Sequence, residues 1–157
     1  FADRMLRLVV DAGSFRPAAH GAAFRLRMDD LDALQTLYGH GEAGDADAFA
    51  PYQLEQGVFY GLMVDGKLVS VAGTHLVSPS YGLAALGNVF PHPAYRGRGY
   101  ASICTSGVTA ALLAEGLDAV LNVNEANGPA VHLYRRLGYL VYCRFLEGIG
   151  ERKMGNK

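Results

Sequence analysis

The run that decides how this chain folds is Arg96-Gly97-Arg98-Gly99-Tyr100-Ala101. It lies between an apolar segment typical of a strand, residues 83–90, and an alanine-rich segment typical of a helix, residues 101–115. Glycines at such a turn let the backbone approach a ligand closely, and the first N–H groups of the helix point toward negative charge. The run therefore predicts a cradle for a phosphate group, with a solvated surface turn as the alternative when it is taken alone.

A second landmark follows downstream, where Asn127-Gly128-Pro129 opens a predicted helix over residues 127–137. This helix carries Tyr134 and ends before Gly138, and residues 139–146 are typical of a further strand. The two landmarks together predict an enzyme that binds a phosphorylated cofactor.

The remaining segments predict a mixed α/β (α+β) chain. Strands are expected over residues 5–10, 24–27, 58–64, 67–77, 83–90 and 117–123, and helices near residues 31–38 and 48–56. Asp65-Gly66 between two apolar runs is a strong hairpin signal. Successive strands followed by a strand-helix-strand-helix-strand half indicate a mixed sheet with helices on its faces.

Size, charge and cysteine content narrow the class of protein. The 157 residues fit one domain, and a net charge of −1 gives no reason to expect nucleic acid or an anionic membrane as a partner. No apolar run approaches the ~20 residues that span a bilayer. Cys104 and Cys143 stand alone in unrelated contexts, which favours a reducing, cytoplasmic location. No metal site is expected.

With both landmarks in register, the chain resembles the GNAT superfamily of acyl-CoA-dependent N-acyltransferases. The family's Arg/Gln-x-x-Gly-x-Gly/Ala signature is met by Arg96, Gly99 and Ala101, and residues 127–139 are similar to its Asn…Leu-Tyr-x-x-x-Gly-Phe/Tyr segment. The resemblance implies a central, mostly antiparallel mixed sheet of six to seven strands with helices on both faces. It also implies a domain over residues 24–150, a tail over 151–157, and an N-terminal segment 1–23, open to being the end of an upstream region.

The resemblance also implies acetyl-CoA or a related acyl-CoA as co-substrate. The turn amides and arginines would hold the pyrophosphate, the end of the preceding strand would run beside the pantetheine arm, and Asn127 would contact that arm. Pro91 departs from the usual pattern because it lacks an N–H. The implied cofactor-binding residues are Val89, Phe90, Pro91, Arg96, Gly97, Arg98, Gly99, Tyr100, Ala101, Ser102 and Asn127.

The implied chemistry is direct attack of a primary amine on the thioester. Tyr134 would protonate or hydrogen-bond the departing thiolate as a general acid. Residues 83–90 contain no acidic side chain, so the usual carboxylate base of relatives is missing from that strand. His75 on the preceding strand is the candidate base, since its pKa range suits the task. Weaker options are His92, Glu55 and Tyr81.

Each assignment has a structural alternative. The alternative for Tyr134 is a core tyrosine, although the aligned motif favours the active-site role. The alternative for Asn127 is the N-cap of its helix, and for His75 a hydrogen-bonded structural histidine. At the level of function, the alternative to an N-acyltransferase is a catalytically silent acyl-CoA-binding module or half of a larger protein. The acceptor amine and the choice between monomer and homodimer stay open.

Overall fold

The computed structural model describes residues 2–19, 21–41 and 49–150. Its strands are β1 Ala2–Val10, β2 Ala23–Arg25, β3 Tyr60–Val64, β4 Lys67–Ser78, β5 Leu83–Pro91, β6 Asp118–Asn124 and β7 Leu140–Gly148. Its helices are α1 Leu31–Tyr38, α2 Pro51–Gln56, α3 Tyr100–Ala114 and α4 Gly128–Arg136. None of the helices in these ranges is long and apolar enough to cross a bilayer.

The seven strands form one sheet in the order β2-β3-β4-β5-β6-β1-β7, and only the β5–β6 pair is parallel. The pairing between β5 and β6 is short although both strands are long. Only residues 83–85 of β5 pair with residues 118–120 of β6. Beyond Ala85 and Val120 the two strands separate, which leaves a split in the middle of the sheet. The predicted mixed, mostly antiparallel sheet is confirmed.

The helices cover both faces of the sheet, as predicted. On one face α3 and α4 enclose a core that includes Leu8, Val108 and Leu112, all fully buried. On the other face α1 and α2 enclose a second core around Leu34 and Phe59. Among the described residues, the second core includes residues of β4 and β5 but none of β6, β1 or β7, so these three strands are packed against helices on one face.

The first strand lies deep in the sheet. β1 pairs antiparallel with β6 on one side and with β7 on the other, and its residues Leu6, Leu8 and Val10 are buried. β1 belongs to the predicted N-terminal segment, residues 1–23, so that segment contributes a strand to the same sheet. The domain boundary after residue 23 stays a prediction, and the predicted tail, residues 151–157, lies outside the described residues.

Local sequence signals account for most element ends. The Asp65-Gly66 turn has φ of 51° and 76°, which is the primed turn that a two-residue hairpin requires. Helix α2 begins at Pro51, later than the predicted residue 48, because proline fixes φ at the first helical position. Residue 48 itself lies outside the described residues.

Candidate active site

The glycine-rich turn joins the end of β5 to the start of α3. Gly97 and Gly99 have φ of 76° and 78°, a left-handed conformation that side chains with a Cβ rarely adopt. Gly99 is the N-cap of α3 and supplies no side-chain cap, so the first N–H groups of the helix have no intrahelical acceptor. A Cβ at either glycine would meet nothing within 4 Å, so open space lies beside both glycines.

A cavity of about 640 Å³ lies against this turn. Every one of the eleven predicted cofactor-binding residues lines it, from the end of β5, the turn and the start of α4. The other lining residues are Tyr95, Pro129, Ala130, Leu133 and Tyr134. We call this the turn cavity.

The turn cavity carries positive charge. Arg96 and Arg98 line it, and no carboxylate among the described residues lies within 4.0 Å of either guanidinium. The Arg98 guanidinium carbon lies 4.9 Å from the centre of the Tyr95 ring, a cation–π contact that orients the side chain. Backbone donors and two unpaired cations therefore face the same space, an arrangement suited to a phosphate or pyrophosphate.

A second and larger cavity, of about 1010 Å³, opens along the sheet from the split. We call it the sheet cavity. It shares four lining residues with the turn cavity: Val89, Asn127, Ala130 and Tyr134. The two cavities therefore meet where β5 and β6 have separated, beside the Tyr134 side chain.

Tyr134 lies at this junction on α4. Its side chain is 9% exposed, and burial raises the pKa of its phenol to about 12, so it stays protonated through the neutral and mildly alkaline range. Its hydroxyl has no hydrogen-bond partner among the described residues. Neighbouring Tyr139 differs, because its hydroxyl lies 2.7 Å from Thr109 Oγ1 in the core. Among the described residues, Tyr134 is the one tyrosine that lines both cavities.

Asn127 has the capping role expected of it. Its side-chain oxygen accepts a hydrogen bond of 3.3 Å from the backbone N–H of Ala130, which makes it the N-cap of α4. Its side chain also lines both cavities. The two interpretations of Asn127 are therefore compatible.

His75 lines the sheet cavity on β4, and its ring lies against Gly87 so closely that a Cβ there would clash with it. Asn88, which has φ of 52°, donates from Nδ2 to both Gln53 Oε1 and His75 Nδ1 at 3.3 Å. Gln53 Oε1 also accepts from the Ala50 N–H, which fixes Asn88 as the donor. His75 Nδ1 is then an acceptor, so the neutral ring carries its proton on Nε2.

The charge state of His75 follows from the same surroundings. Partial desolvation on the side of the ring that faces the protein lowers the pKa of its imidazole from the usual 6.5, so the ring is neutral at pH 7. The Tyr38 hydroxyl donates to the Asn88 carbonyl oxygen and anchors the residue that holds His75. His75 is thus a neutral imidazole on the wall of the sheet cavity.

The sequence of this chain matches the model of the Acetyltransferase (GNAT) family over residues 25–139. The chain belongs to the GNAT acetyltransferase family. The predicted resemblance is confirmed, and the match includes the turn, α3, α4 and the split strands β5 and β6.

Solved structures of GNAT proteins share this fold. A GNAT-family protein from Novosphingobium aromaticivorans is 26% identical, with a TM-score of 0.78, over 93% of this chain and 63% of its own. A GNAT acetyltransferase from Colwellia psychrerythraea is 16% identical, with a TM-score of 0.77, over 93% of this chain and 56% of its own. The ribosomal-protein-S18-alanine N-acetyltransferase of Escherichia coli is 26% identical, with a TM-score of 0.62, over 74% of this chain and 75% of its own.

This GNAT chain therefore spans less than two thirds of the first two of these structures. The search of curated proteins found no match.

The weaker candidate bases of this GNAT chain lie apart from both cavities. None of His92, Glu55 and Tyr81 lines either one. His92 is buried and accepts a 3.0 Å hydrogen bond from the Ala94 N–H at Nδ1. Tyr81 is 82% exposed on a turn, and Glu55 is exposed on α2. Of the four residues considered, only His75 reaches the space beside the split.

Neither cysteine of this GNAT chain lines the two cavities. Cys104 is fully buried on α3, and burial raises the pKa of its thiol to about 12. Cys143 lies on the edge strand β7. No group of three or more potential metal ligands occurs among the described residues.

Sequence reasoning missed several residues of this GNAT site. Asn88 positions His75 through a hydrogen bond. The sequence signal for it was the Gly87-Asn88 pair inside a predicted strand, because a glycine within a strand often marks a bulge. Asn122 and Asn124 line the sheet cavity from β6, where apolar and polar residues alternate. Arg7 on β1 had no such signal, because its place in the sheet depends on pairing with strands more than 100 residues away.

Proposed function

We propose that this chain is an N-acetyltransferase that transfers an acetyl or short acyl group from acyl-CoA to a primary amine. The observation that carries the proposal is the meeting of the two cavities at Tyr134, one lined by the whole predicted cofactor set and the other open to an acceptor. Transfer then takes place in a ternary complex, with cofactor and amine approaching the split from opposite sides.

The turn cavity would take the coenzyme. The free amides at the start of α3 and the charges of Arg96 and Arg98 bind the pyrophosphate, and glycines 97 and 99 keep the backbone accessible. The pantetheine arm runs along the edge of β5 near Val89, where β6 no longer occupies the hydrogen-bonding positions.

The reaction forms one bond and breaks another at the thioester carbon. The amine nitrogen attacks the carbonyl, and a backbone N–H of Val89 or Phe90 stabilises the charge that develops on its oxygen. The C–S bond then breaks, and the electron pair leaves on the CoA sulfur. Tyr134 donates a proton to that sulfur, since burial keeps its phenol protonated and its hydroxyl has no competing partner among the described residues. The phenolate then takes a proton from solvent, and the base that accepted the proton of the amine releases it to solvent.

The amine must lose a proton before or during the attack. His75 is the residue we propose to accept it, directly or through a water, because it is neutral and lines the sheet cavity. Protonation at Nδ1 requires the Asn88 amide to give up its hydrogen bond, so the transfer is coupled to a rearrangement of Asn88.

Direct transfer is favoured over an acyl-cysteine intermediate. A nucleophilic cysteine needs a thiolate and access to the thioester, and Cys104 has neither because it is buried and protonated. The free thiols also suit a reducing cytoplasm, which is the location we propose.

The test is release of CoA from acetyl-CoA by the purified protein, with a broad panel of primary amines at alkaline pH and mass detection of the acetylated product. Hydrolysis without amine is the background. Binding of acetyl-CoA without amine-dependent CoA release would instead identify a silent acyl-CoA-binding module, and failure to bind acetyl-CoA would refute both functions.

A further inference from the structure

Arg7 is a charged residue of the sheet cavity that lies outside the matched family segment. It stands on β1 directly opposite Asn122 of β6, on the same face of the sheet. Its Nε donates a 3.1 Å hydrogen bond to Asn122 Oδ1, and its guanidinium carbon lies 5.1 Å from the centre of the Phe145 ring. The side chain is therefore held from two sides.

The charge of Arg7 is not neutralised within the described residues. No carboxylate there lies within 4.0 Å of its guanidinium. Since Nε is engaged by Asn122, the two Nη groups remain as parallel donors, which is the geometry that matches a carboxylate. Arg7 is exposed toward the cavity and is not embedded in a structural ion pair.

The place of Arg7 relative to the split sets what it can reach. Asn122 lies two residues beyond Val120, the last residue of β6 that pairs with β5. Arg7 is one strand further across, about 5 Å away. The Arg7 guanidinium therefore lines the same cavity as Tyr134, on the second strand across from β5.

We propose that Arg7 binds a carboxylate of the acceptor, so that the substrate class is primary amines that carry a carboxylate, such as amino acids or short peptides. This inference rests on the proposed function. The cavity favours a single negative charge over a phosphate dianion, because Glu147 also lines it and His75 is neutral at pH 7. Glu147 pairs in register with Asp3, four residues along β1 from Arg7, so it leaves the guanidinium free.

The test compares matched substrates on the full chain. Amino acids and ω-amino acids are each assayed against their carboxamides for CoA release, and the same acids are titrated by calorimetry in the presence of CoA. We expect kcat/KM at least about 10-fold higher for the acids, in line with a charge-assisted bidentate pair. Arg7→Gln should remove this preference and the calorimetric signal, while Arg7→Lys should keep part of both.

The control is Arg4→Gln, on the same strand but paired with Leu146 on the opposite face, which should leave the preference intact. Equal use of acids and carboxamides by the wild type, or an unchanged preference in Arg7→Gln, would overturn the inference while the proposed function stands. Binding of acids that depends on Arg7, without CoA release from any amine, would refute the proposed function and with it the substrate class, and would leave a carboxylate-binding site at Arg7. Acids that neither bind nor react would overturn the inference.

Discussion

The turn cavity and the sheet cavity are built in different ways. The turn cavity is formed by two continuous stretches, residues 89–102 and 127–134, and much of its surface is backbone. The sheet cavity collects side chains from β1, β4, β5, β6, β7 and α4, most of which are far apart in the chain. The proposed phosphate site is thus encoded locally, whereas the proposed acceptor site is assembled by the fold.

The strongest test of the turn cavity is Gly99→Glu. The side chain would fill the open space beside this glycine, add negative charge and strain a residue with φ of 78°. We expect acetyl-CoA affinity to fall at least about 100-fold, which corresponds to roughly 2.7 kcal/mol. Calorimetric titration with acetyl-CoA measures it.

Gly116→Glu is the matched control, because Gly116 has the same φ of 78° and open surroundings at the other end of α3. A carboxylate at that end opposes the helix dipole, so this variant should lose at least as much stability as Gly99→Glu. Its acetyl-CoA affinity should match the wild type. If both variants bind acetyl-CoA with similar affinity, the turn is not the phosphate-binding site.

The junction between the cavities is tested by Tyr134→Phe. Loss of the general acid should lower kcat about 100-fold with less than about a 2-fold change in acetyl-CoA affinity. Tyr139→Phe is the control. It should leave kcat unchanged and lower the free energy of unfolding by about 1 kcal/mol, because the hydrogen bond to Thr109 is lost. Steady-state kinetics and urea unfolding compare the pair, and equal kcat in both variants would place Tyr134 in the core only.

On the wall of the sheet cavity, His75→Gln should lower kcat about 10-fold and change its pH profile. The wild-type kcat should fall as pH drops below the lowered pKa of His75, that is, below 6.5, and this limb should be absent in the variant. His132→Gln, an exposed histidine on α4 outside both cavities, is the control. If kcat of His75→Gln still falls at acidic pH as in the wild type, a group other than His75 accepts the proton of the amine.

The smallest expected effect is on stability. Burial lowers the folded-state pKa of both His75 and His92, with Lys67 and His40 adding to the shift at His92. The unfolded chain then binds more protons near pH 6, so stability is complete above 6.5 and is lost as the pH falls. Urea unfolding between pH 7.5 and 5 should show this slope, and His75→Gln/His92→Asn should flatten it.

The sequence predicted the fold where local patterns carry it. The hairpin at Asp65-Gly66, the start of α3 and the cap at Asn127 are each encoded within a few residues. The family resemblance supplied all eleven predicted cofactor-binding residues, and all of them line the turn cavity. Their roles in binding stay predictions.

Long-range placement could not be predicted in the same way. The strand near the N-terminus was expected, but no local sequence pattern predicted that Arg7 would pair with Asn122 of β6. Asn88 is similar, since its role depends on contacts with Gln53 and His75 from other elements. Side chains that meet only after strands pair leave little trace in the sequence.

The insertion of β1 between β6 and β7 has a consequence for the order of assembly. β1 precedes the other six strands of the sheet in chain order, yet its partners β6 and β7 follow more than 100 residues later. Until they do, its apolar residues Leu6, Leu8 and Val10 have no neighbours to pack against in the sheet, and closing so long a loop is a slow event. The strand that carries Arg7 is therefore the last in the sheet to gain its partners, since β6 and β7 are the final two of the seven strands in chain order.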